Sequence, residues 1–231
     1  MKQLLNLGYL IIFFSFLTSC NLQTKESNTK TDNTKSVGGA FENNEFIYYG
    51  IPKNITSKDT SLGWNQRGQK IILSGTVYEL DGKTPAQDVL LYYYHTNTEG
   101  KYIHKPEEKR SMPPNELGQT HGYIRGWVKT DLEGKYFIYT VKPGTYPTHD
   151  EPAHVHITVK EPNDINEYYI DDFVFDDDQL LTTDKRKKMK NRCGSGVLQM
   201  VQKGDVLVGE RNLTLGLNIP DYPQKAVTNS K

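Results

Sequence analysis

The chain has 231 residues, of which 28 are basic and 28 acidic, so its formal net charge is zero. This balance argues against nucleic acid as the main partner and against a charged patch that binds membranes. The sequence contains only two cysteines, Cys20 and Cys193, which excludes a fold built on a framework of disulfides.

The first 19 residues have the pattern of an export signal. Lys2 supplies positive charge, residues 4–17 form an apolar stretch, and residues 17–20 (Leu-Thr-Ser-Cys) are a small-residue cleavage site that ends in cysteine. The segment resembles a bacterial lipoprotein signal, which implies a lipid on Cys20 and a place in the cell envelope, expected at the outer membrane. The alternative is an uncleaved membrane anchor, for which the apolar run is short because a span takes about 20 residues.

Residues 20–40 contain few apolar side chains and show no periodicity, which predicts a flexible polar tether. The remaining residues, 41–231, are enough for one domain with its own core. Since Cys20 is expected to carry lipid, Cys193 is predicted to have no disulfide partner and no chemical role.

From residue 70 onward, short apolar runs alternate with turns that contain glycine, and no long stretch keeps a helical period. This pattern predicts an all-β domain, an antiparallel β-sandwich with long loops. Strands are predicted at residues 71–78, 89–94, 122–130, 136–141, 154–159, 168–175, 196–202 and 205–217. Glu133-Gly134 and Lys203-Gly204-Asp205 have the composition of hairpin turns.

Two charge runs follow in the last third of the chain. Residues 161–178 contain eight acids and no base, and residues 185–192 contain six bases and no acid. Both runs are predicted to be solvated loops that could face each other. The acids at 176–178 could bind calcium, but they lack the spaced oxygen ligands of a calcium loop.

All histidines of the chain lie between residues 95 and 156, and two of them form a His-x-His pair. If the segment after Pro152 is a strand, its two-residue period puts His154 and His156 on one face, where both imidazoles can reach one metal ion. Val155 and Ile157 then point into the core. The pair alone is a weak signal, and its neighbours in the sequence make it stronger.

Several segments around this pair occur together in one family. They are Gly63-Trp64, Gly68-Gln69, Leu73–Val77, Gly100–His104, Thr130–Phe137, Pro143–Pro147 and Pro152–His156. In this order, the stretch from Leu62 to Ile219 resembles the intradiol ring-cleavage dioxygenases, the family of protocatechuate 3,4-dioxygenase and catechol 1,2-dioxygenase. The resemblance implies a sandwich of the intradiol dioxygenase type that uses O2 and a catechol-like aromatic, and it leaves an oligomer open.

The same resemblance implies that Tyr102, Tyr146, His154 and His156 are ligands of Fe(III). Phenolate oxygens are hard anionic donors that favour ferric iron, and two neutral imidazoles complete a site that stays open to substrate. Zinc would fit the histidines, but structural zinc usually takes thiolates and the chain has no cysteine pair. Tyr102 is expected to leave the metal when the catechol binds and to act as a proton acceptor.

The chain also departs from the family pattern. Only seven residues separate Tyr146 from His154, which predicts a reshaped mouth of the site. Glu151 and Asp172 stand where the family has an arginine and a glutamine, so either acid would repel an anionic substrate unless it is neutral or turned away. Three explanations stay open: the alignment is out of register at these positions, the substrate is not a simple catecholate, or another cation enters the site. Arg125 is the candidate for that cation, with a catalytic role.

The other histidines receive separate predictions. His104 and His149 are candidates for neighbours of the ligands, together with Glu151 and Asp172. His95 and His121 are predicted to be ordinary loop or strand-end residues.

Two functions remain in competition. The chain is either a lipid-anchored ring-cleaving enzyme or a β-sandwich binding module that keeps the fold, with or without a metal, but does not catalyse. Fold alone does not separate them.

Overall fold

Two six-stranded sheets form the part of the chain that the computed structural model describes, residues 45–223. The strands are β1 Lys58–Thr60, β2 Lys70–Tyr78, β3 Leu90–Tyr94, β4 Arg125–Lys129, β5 Lys135–Val141, β6 His154–Lys160, β7 Tyr168–Tyr169, β8 Phe173–Phe175, β9 Val197–Leu198, β10 Met200–Lys203, β11 Val206–Glu210 and β12 Leu213–Thr214. Two short α-helices, α1 Glu45–Tyr48 and α2 Thr183–Lys188, and a 3₁₀ helix at Leu62–Asn65 complete the elements. The predicted all-β sandwich is confirmed.

The first sheet has the order β1-β5-β2-β11-β10, with β12 beside β2, and the second has the order β4-β3-β6-β8-β9, with β7 beside β6. Most neighbours are antiparallel, but β1 with β5, β2 with β11 and β12, and β8 with β9 are parallel. The sheets are therefore mixed, because connections that cross between sheets bring later strands back in the same direction.

The core lies between the inner faces of the two sheets. Ile71 and Leu73 of β2 and Val155 and Ile157 of β6 have no exposed surface. The predicted alternation in β6 is confirmed, because His154 and His156 point to the opposite, partly exposed face. Packing of the core thus fixes the direction in which the two imidazoles project.

Only one of the two predicted hairpin turns joins paired strands. Lys203 pairs with Val206 at the turn between β10 and β11. The turn at Glu133-Gly134 instead connects β4 in one sheet to β5 in the other, so the prediction of a hairpin there is wrong. Gly134 has φ +70°, and a Cβ atom on it would lie 2.4 Å from the Val77 carbonyl oxygen, so the turn packs against β2.

The basic run is not wholly a loop, which corrects the prediction for residues 183–188. The hydroxyl of Thr182 accepts a hydrogen bond from the Lys185 amide and caps the N-terminus of α2. Arg186 of α2 forms an ion pair with Asp176 at 2.6 Å, so the basic and acidic runs do meet. Asp177 pairs with Lys142 at 3.1 Å, which leaves these acids engaged with cations of the chain.

Cys193 is fully buried in the core between the sheets, and burial raises the pKa of its thiol to about 12. It is therefore a packed, protonated thiol.

Several predictions fall outside the described residues. They are the signal at 1–19, the lipid on Cys20, the tether at 20–40 and the start of the domain at residue 41. Within residues 45–223, no helix has the length and apolar character needed to cross a bilayer.

His95 follows β3 and is a buried structural residue. Its imidazole lies 2.8 Å from the Thr140 hydroxyl and 2.7 Å from the Thr96 carbonyl oxygen. Burial lowers the pKa of His95 from 6.5 to about 4, so the ring stays neutral in the folded protein.

This burial predicts a pH-dependent stability. Between pH 6.5 and 4 the unfolded chain binds a proton at His95 and the folded chain does not, so acidification favours unfolding. The free energy of unfolding should fall by about 1.4 kcal/mol per pH unit for this histidine. Urea titrations at several pH values give the free energy of unfolding as a function of pH. In His95→Gln this free energy should fall less steeply with acidification below pH 6.5, and the remaining dependence should come from groups such as His121. An unchanged slope would contradict this role for His95.

Candidate metal centre

Four side chains from three segments converge at one end of the sandwich. Tyr102 lies in the loop after β3, Tyr146 in the loop after β5, and both histidines on β6. The Tyr146 oxygen is 3.0 Å from that of Tyr102, 3.2 Å from His154 Nε2 and 3.4 Å from His156 Nε2. His156 Nε2 is 3.1 Å from both His154 Nε2 and the Tyr102 oxygen. We call these residues the four-donor cluster.

The spacing and chemistry of the cluster fit a metal ion. Donors that share an ion at about 2.0–2.1 Å lie roughly 3–3.5 Å from one another. Five of the six pairs of these atoms have such a distance. Two phenol oxygens and two imidazole nitrogens form a donor set suited to ferric iron. Burial, followed by their mutual proximity, raises the pKa of Tyr102, and burial raises that of Tyr146. Without an ion, both phenols are therefore protonated, and binding would release their protons.

Hydrogen bonds on the far side of each ring aim both histidines at the cluster. His154 Nδ1 donates to the Pro152 carbonyl oxygen at 2.7 Å, and His156 Nδ1 lies 3.0 Å from Asp172 Oδ1. A proton held on Nδ1 leaves the Nε2 lone pair free for a metal. Burial, followed by the nearby His156, lowers the pKa of His154, which keeps that ring neutral.

A bulge in the second sheet brings Asp172 to His156. Thr158 pairs with Tyr169 in β7, but Val155 pairs with Phe173 in β8, so this side of the ladder carries one extra residue between the two pairs. The predicted continuous strand at 168–175 is therefore interrupted. The interruption shifts the register so that Asp172, and not the residue before it, lies opposite His156.

Asp172 does not offer an alternative ligand for the same ion. The two histidines and Asp172 lie close enough to hold a metal as a group of three. However, the carboxylate contacts Nδ1 of His156, whereas Nε2 of that ring faces the tyrosines. One imidazole cannot direct both nitrogens at one ion, so the cluster of phenols and imidazoles is the better site.

Backbone contacts hold the two tyrosine loops together. The Gly144 amide donates to the Asn97 carbonyl oxygen at 2.9 Å, and the Thr96 hydroxyl donates to the Gly144 carbonyl oxygen at 2.8 Å. Gly100 has φ +75°, and a Cβ atom there would lie 1.7 Å from the Thr145 carbonyl oxygen. The approach of Tyr102 to Tyr146 thus requires glycine at position 100, because no residue with a side chain fits there.

An aromatic stack supports His156 on the outer face of the second sheet. Tyr94 is paired with His156 across β3 and β6, and their ring centroids are 4.4 Å apart. His121 stacks on the other side of Tyr94 at 3.6 Å and 3° between planes. Burial lowers the pKa of His121 to about 3, and its Nδ1 lies 2.7 Å from the Tyr92 hydroxyl. His121 is therefore more than the ordinary loop residue predicted, and the alternation of Tyr92 and Tyr94 was the sequence signal for this stack.

Arg125 lies beneath this stack and away from the cluster. Its guanidinium has no exposed surface and donates to the Tyr92 hydroxyl at 2.8 Å and to the carbonyl oxygen of Phe46. It also faces the Trp127 ring at 4.9 Å. In the described residues, no contact joins Arg125 to the four donors, so its contacts do not support the prediction that it enters the site.

The other predicted neighbours lie at the edges of the site. His104 Nδ1 is 2.9 Å from the Ser111 hydroxyl, and His149 is an exposed turn residue whose Nδ1 is 3.0 Å from the Thr145 hydroxyl. Neither side chain contacts a donor atom of the cluster, although the His149 amide donates to the Tyr146 carbonyl oxygen at 2.9 Å. Glu151 is exposed and lies 3.8 Å from the ammonium of Lys185 in α2. It is thus turned toward a cation.

A cleft of about 410 Å³ adjoins the cluster at Asp172 and Pro152. Its apolar floor includes Ile170, Leu181 and Met189. The lysines on its walls come from α2 and the residues after it: Lys185, Lys188 and Lys190. Sequence reasoning missed these lysines, because the basic run gave no sign that it folds back beside β6.

The chain is similar to known proteins in sequence and in fold. A family model described as Dioxygenase (Dioxygenase_C) matches residues 45–212, about three quarters of the chain. The chain belongs to the intradiol dioxygenase family. The protocatechuate 3,4-dioxygenase beta chain of Burkholderia cepacia is 33% identical over 98 residues, which are 40% of this chain and 39% of that one.

Two further proteins are similar to this intradiol dioxygenase family member. The catechol 1,2-dioxygenase of Acinetobacter baylyi is 27% identical over 126 residues, 48% of this chain and 38% of that one. The matched segments therefore span less than half of either curated relative. The dioxygenase domain of a dioxygenase carbohydrate-binding protein fusion from Streptomyces sp. SirexAA-E has the same fold, with a TM-score of 0.52 at 19% identity over 71% of this chain and 91% of that domain.

Proposed function

We propose that this chain is a non-haem Fe(III)-dependent dioxygenase that uses O2 to cleave a catechol-type ring between its two hydroxylated carbons. The observation that carries the proposal is the convergence of two tyrosine oxygens and two histidine nitrogens, of whose six pairs five are 3.0–3.4 Å apart. The relatives named above act on catechol and protocatechuate, which supports an aromatic diol as substrate.

The residues of the cluster would have two roles, metal binding and proton transfer. Bound ferric iron would supply the Lewis acidity and redox chemistry that make a coordinated catecholate reactive toward O2. Tyr146, His154 and His156 would hold the ion throughout. Burial raises the pKa of Tyr102, so its phenolate, once displaced by substrate, is a strong base for a catechol proton.

The surroundings of the cluster favour a negatively charged substrate. Lys185, Lys188 and Lys190 line the adjoining cleft together with three acids. Each acid is engaged elsewhere: Glu151 faces Lys185, Asp171 accepts from the amides of Asn191 and Arg192, and Asp172 contacts His156. Positive charge on the walls attracts an anionic aromatic, and the apolar floor accepts its ring or a substituent. The cation that the sequence lacks before the histidines is thus supplied by α2.

We also propose that the protein is held in the cell envelope by a lipid on Cys20. The support is the signal-like sequence of residues 1–20. The substrate would then be met outside the cytoplasm.

A coloured ferric protein tests the proposal. Tyrosinate bound to Fe(III) absorbs visible light by charge transfer, so purified protein loaded with one equivalent of ferric iron should be coloured, and a catechol should shift the band. With ¹⁸O₂, mass spectrometry should find both oxygen atoms in a ring-opened dicarboxylic acid.

The non-catalytic alternative predicts different results. A binding module would retain an aromatic ligand in equilibrium dialysis without consuming O2, whether or not iron is present. Colour without a catechol-induced shift, and no oxygen uptake with catechols that carry or lack a carboxylate, would overturn the enzymatic proposal.

A further inference from the structure

The two imidazoles of the four-donor cluster have partners of different charge. His154 Nδ1 donates to the carbonyl oxygen of Pro152, which is neutral. His156 Nδ1 faces a carboxylate oxygen of Asp172 at 3.0 Å. A carboxylate draws the Nδ1 proton more strongly than a carbonyl does, and the imidazole gains electron density at Nε2.

The backbone that carries Asp172 is held by its surroundings. Arg211, which is 4% exposed, donates from a guanidinium nitrogen to the carbonyl oxygen of Asp171 at 2.6 Å. The carboxylate of Asp171 accepts bonds from the amides of Asn191 and Arg192 at 2.8 and 3.1 Å. A Cβ atom on Gly196 would lie 2.2 Å from the Asp172 carbonyl oxygen, so the chain passes there as closely as glycine allows.

The imidazole of His156 is also held from the side. Tyr94 lies against its ring at 4.4 Å with 23° between planes. The ring is thus clamped by stacking on its face and by Asp172 in its plane, which sets the direction of Nε2. Preorganisation of this kind is typical of ligands whose donor strength matters to the metal.

We propose that Asp172 is a positioning residue that makes His156 a stronger and more anionic donor than His154, so that the two histidines of the site are unequal. This inference rests on the proposed iron site. With two phenolates and this carboxylate, the charge of a ferric ion is fully balanced by the protein, which favours the ferric over the ferrous state.

Two substitutions separate the charge of Asp172 from its hydrogen bond. Asp172→Asn keeps a carbonyl acceptor at Nδ1 but removes the charge, so the reduction potential of the loaded protein should rise and its charge-transfer band should move to longer wavelength. Asp172→Ala removes both and should weaken iron binding about 10- to 100-fold in a chelator competition. Glu151→Gln is the matched control, since it removes a nearby carboxylate that contacts Lys185 and no histidine.

The control variant should shift the potential and the band much less than Asp172→Asn does, because Glu151 contacts Lys185 and neither histidine of the cluster. A coloured wild type with an Asp172→Asn variant of the same potential and band would overturn the role of Asp172. A shift of equal size in Glu151→Gln would also overturn it, because the effect would then be a general one of charge. An iron-loaded wild type without colour would instead count against the proposed function.

A measurement without iron tests the inference independently. In the metal-free protein, ¹⁵N spectra should show the His156 ring with its proton on Nδ1, as the bond to Asp172 requires. In Asp172→Ala this preference should be lost, while His154 keeps its own through Pro152. An unchanged tautomer of His156 in Asp172→Ala would contradict the proposal even if the iron site is real.

Discussion

His156→Ala should abolish stable binding of ferric iron and, with it, the visible colour and oxygen uptake. His156 Nε2 lies 3.1 Å from both the Tyr102 oxygen and His154 Nε2 and 3.4 Å from the Tyr146 oxygen, so its loss removes a donor that contacts every other member of the cluster. Removal of a partner of a ligand costs about 10- to 100-fold in affinity. Removal of the ligand itself should cost more than about 100-fold, measured as iron content after gel filtration and by chelator competition.

The fold should survive this change. The His156 side chain projects from the outer face of β6, and the core residues Val155 and Ile157 are untouched. The melting temperature of the metal-free variant should therefore stay close to that of the metal-free wild type. His149→Ala is the matched control, because the exposed side chain contacts no donor atom and the backbone bond from its amide to Tyr146 is kept, so iron content should stay unchanged. Full iron binding by His156→Ala would disprove the assignment of the cluster.

Gly100→Ala should separate the two tyrosines and destabilise the domain. A Cβ atom at this position would lie 1.7 Å from the Thr145 carbonyl oxygen, so the loops of Tyr102 and Tyr146 must move apart. The positive φ of +75° adds backbone strain for any residue with a side chain. We expect a loss of about 2–6 kcal/mol in the free energy of unfolding, the sum of about 1–3 for strain and 1–3 for overpacking, together with reduced iron affinity.

Gly118→Ala separates these two causes. Gly118 has the same φ of +75°, but no atom lies within 4 Å of the position that its Cβ would take. This variant should lose only the strain, about 1–3 kcal/mol, and should bind iron like the wild type. Chemical denaturation and iron titration of the pair provide the comparison. Equal iron binding by both variants would show that the glycine contact does not set the position of the tyrosines.

The placement of the histidine pair could be predicted from the sequence because it follows from local alternation. Val155 and Ile157 are apolar, and His154 and His156, which alternate with them, are not. Burial of the apolar face therefore turns both histidines to the opposite face of β6. The segments with Tyr102 and Tyr146 are recognised through their resemblance to the family and not through hydrophobic periodicity, because loops have no such periodicity. Their meeting depends on long-range contacts such as that between Gly100 and Thr145.

Other features could not be predicted for identifiable physical reasons. The bulge that brings Asp172 to His156 depends on the register between β6 and its partners, and one extra residue leaves no mark in composition. Glu133-Gly134 has the chemistry of a hairpin turn, but the sheet that each flanking strand joins is decided by the whole core. Arg125 looked like a free cation because a sequence does not show that Phe46 and Tyr92 enclose it.

The donors of the cluster come from β6 and from the loops that follow β3 and β5, so a bound ion would join three separate parts of the chain. Such an ion acts as a cross-link. A ligand that binds the native state and not the unfolded state stabilises the native state, by an amount that grows with the logarithm of the ligand concentration. For the iron-binding, envelope-anchored protein that we propose, resistance to proteolysis would then follow the supply of iron. When iron is scarce, the metal-free protein would be degraded faster, in addition to being inactive.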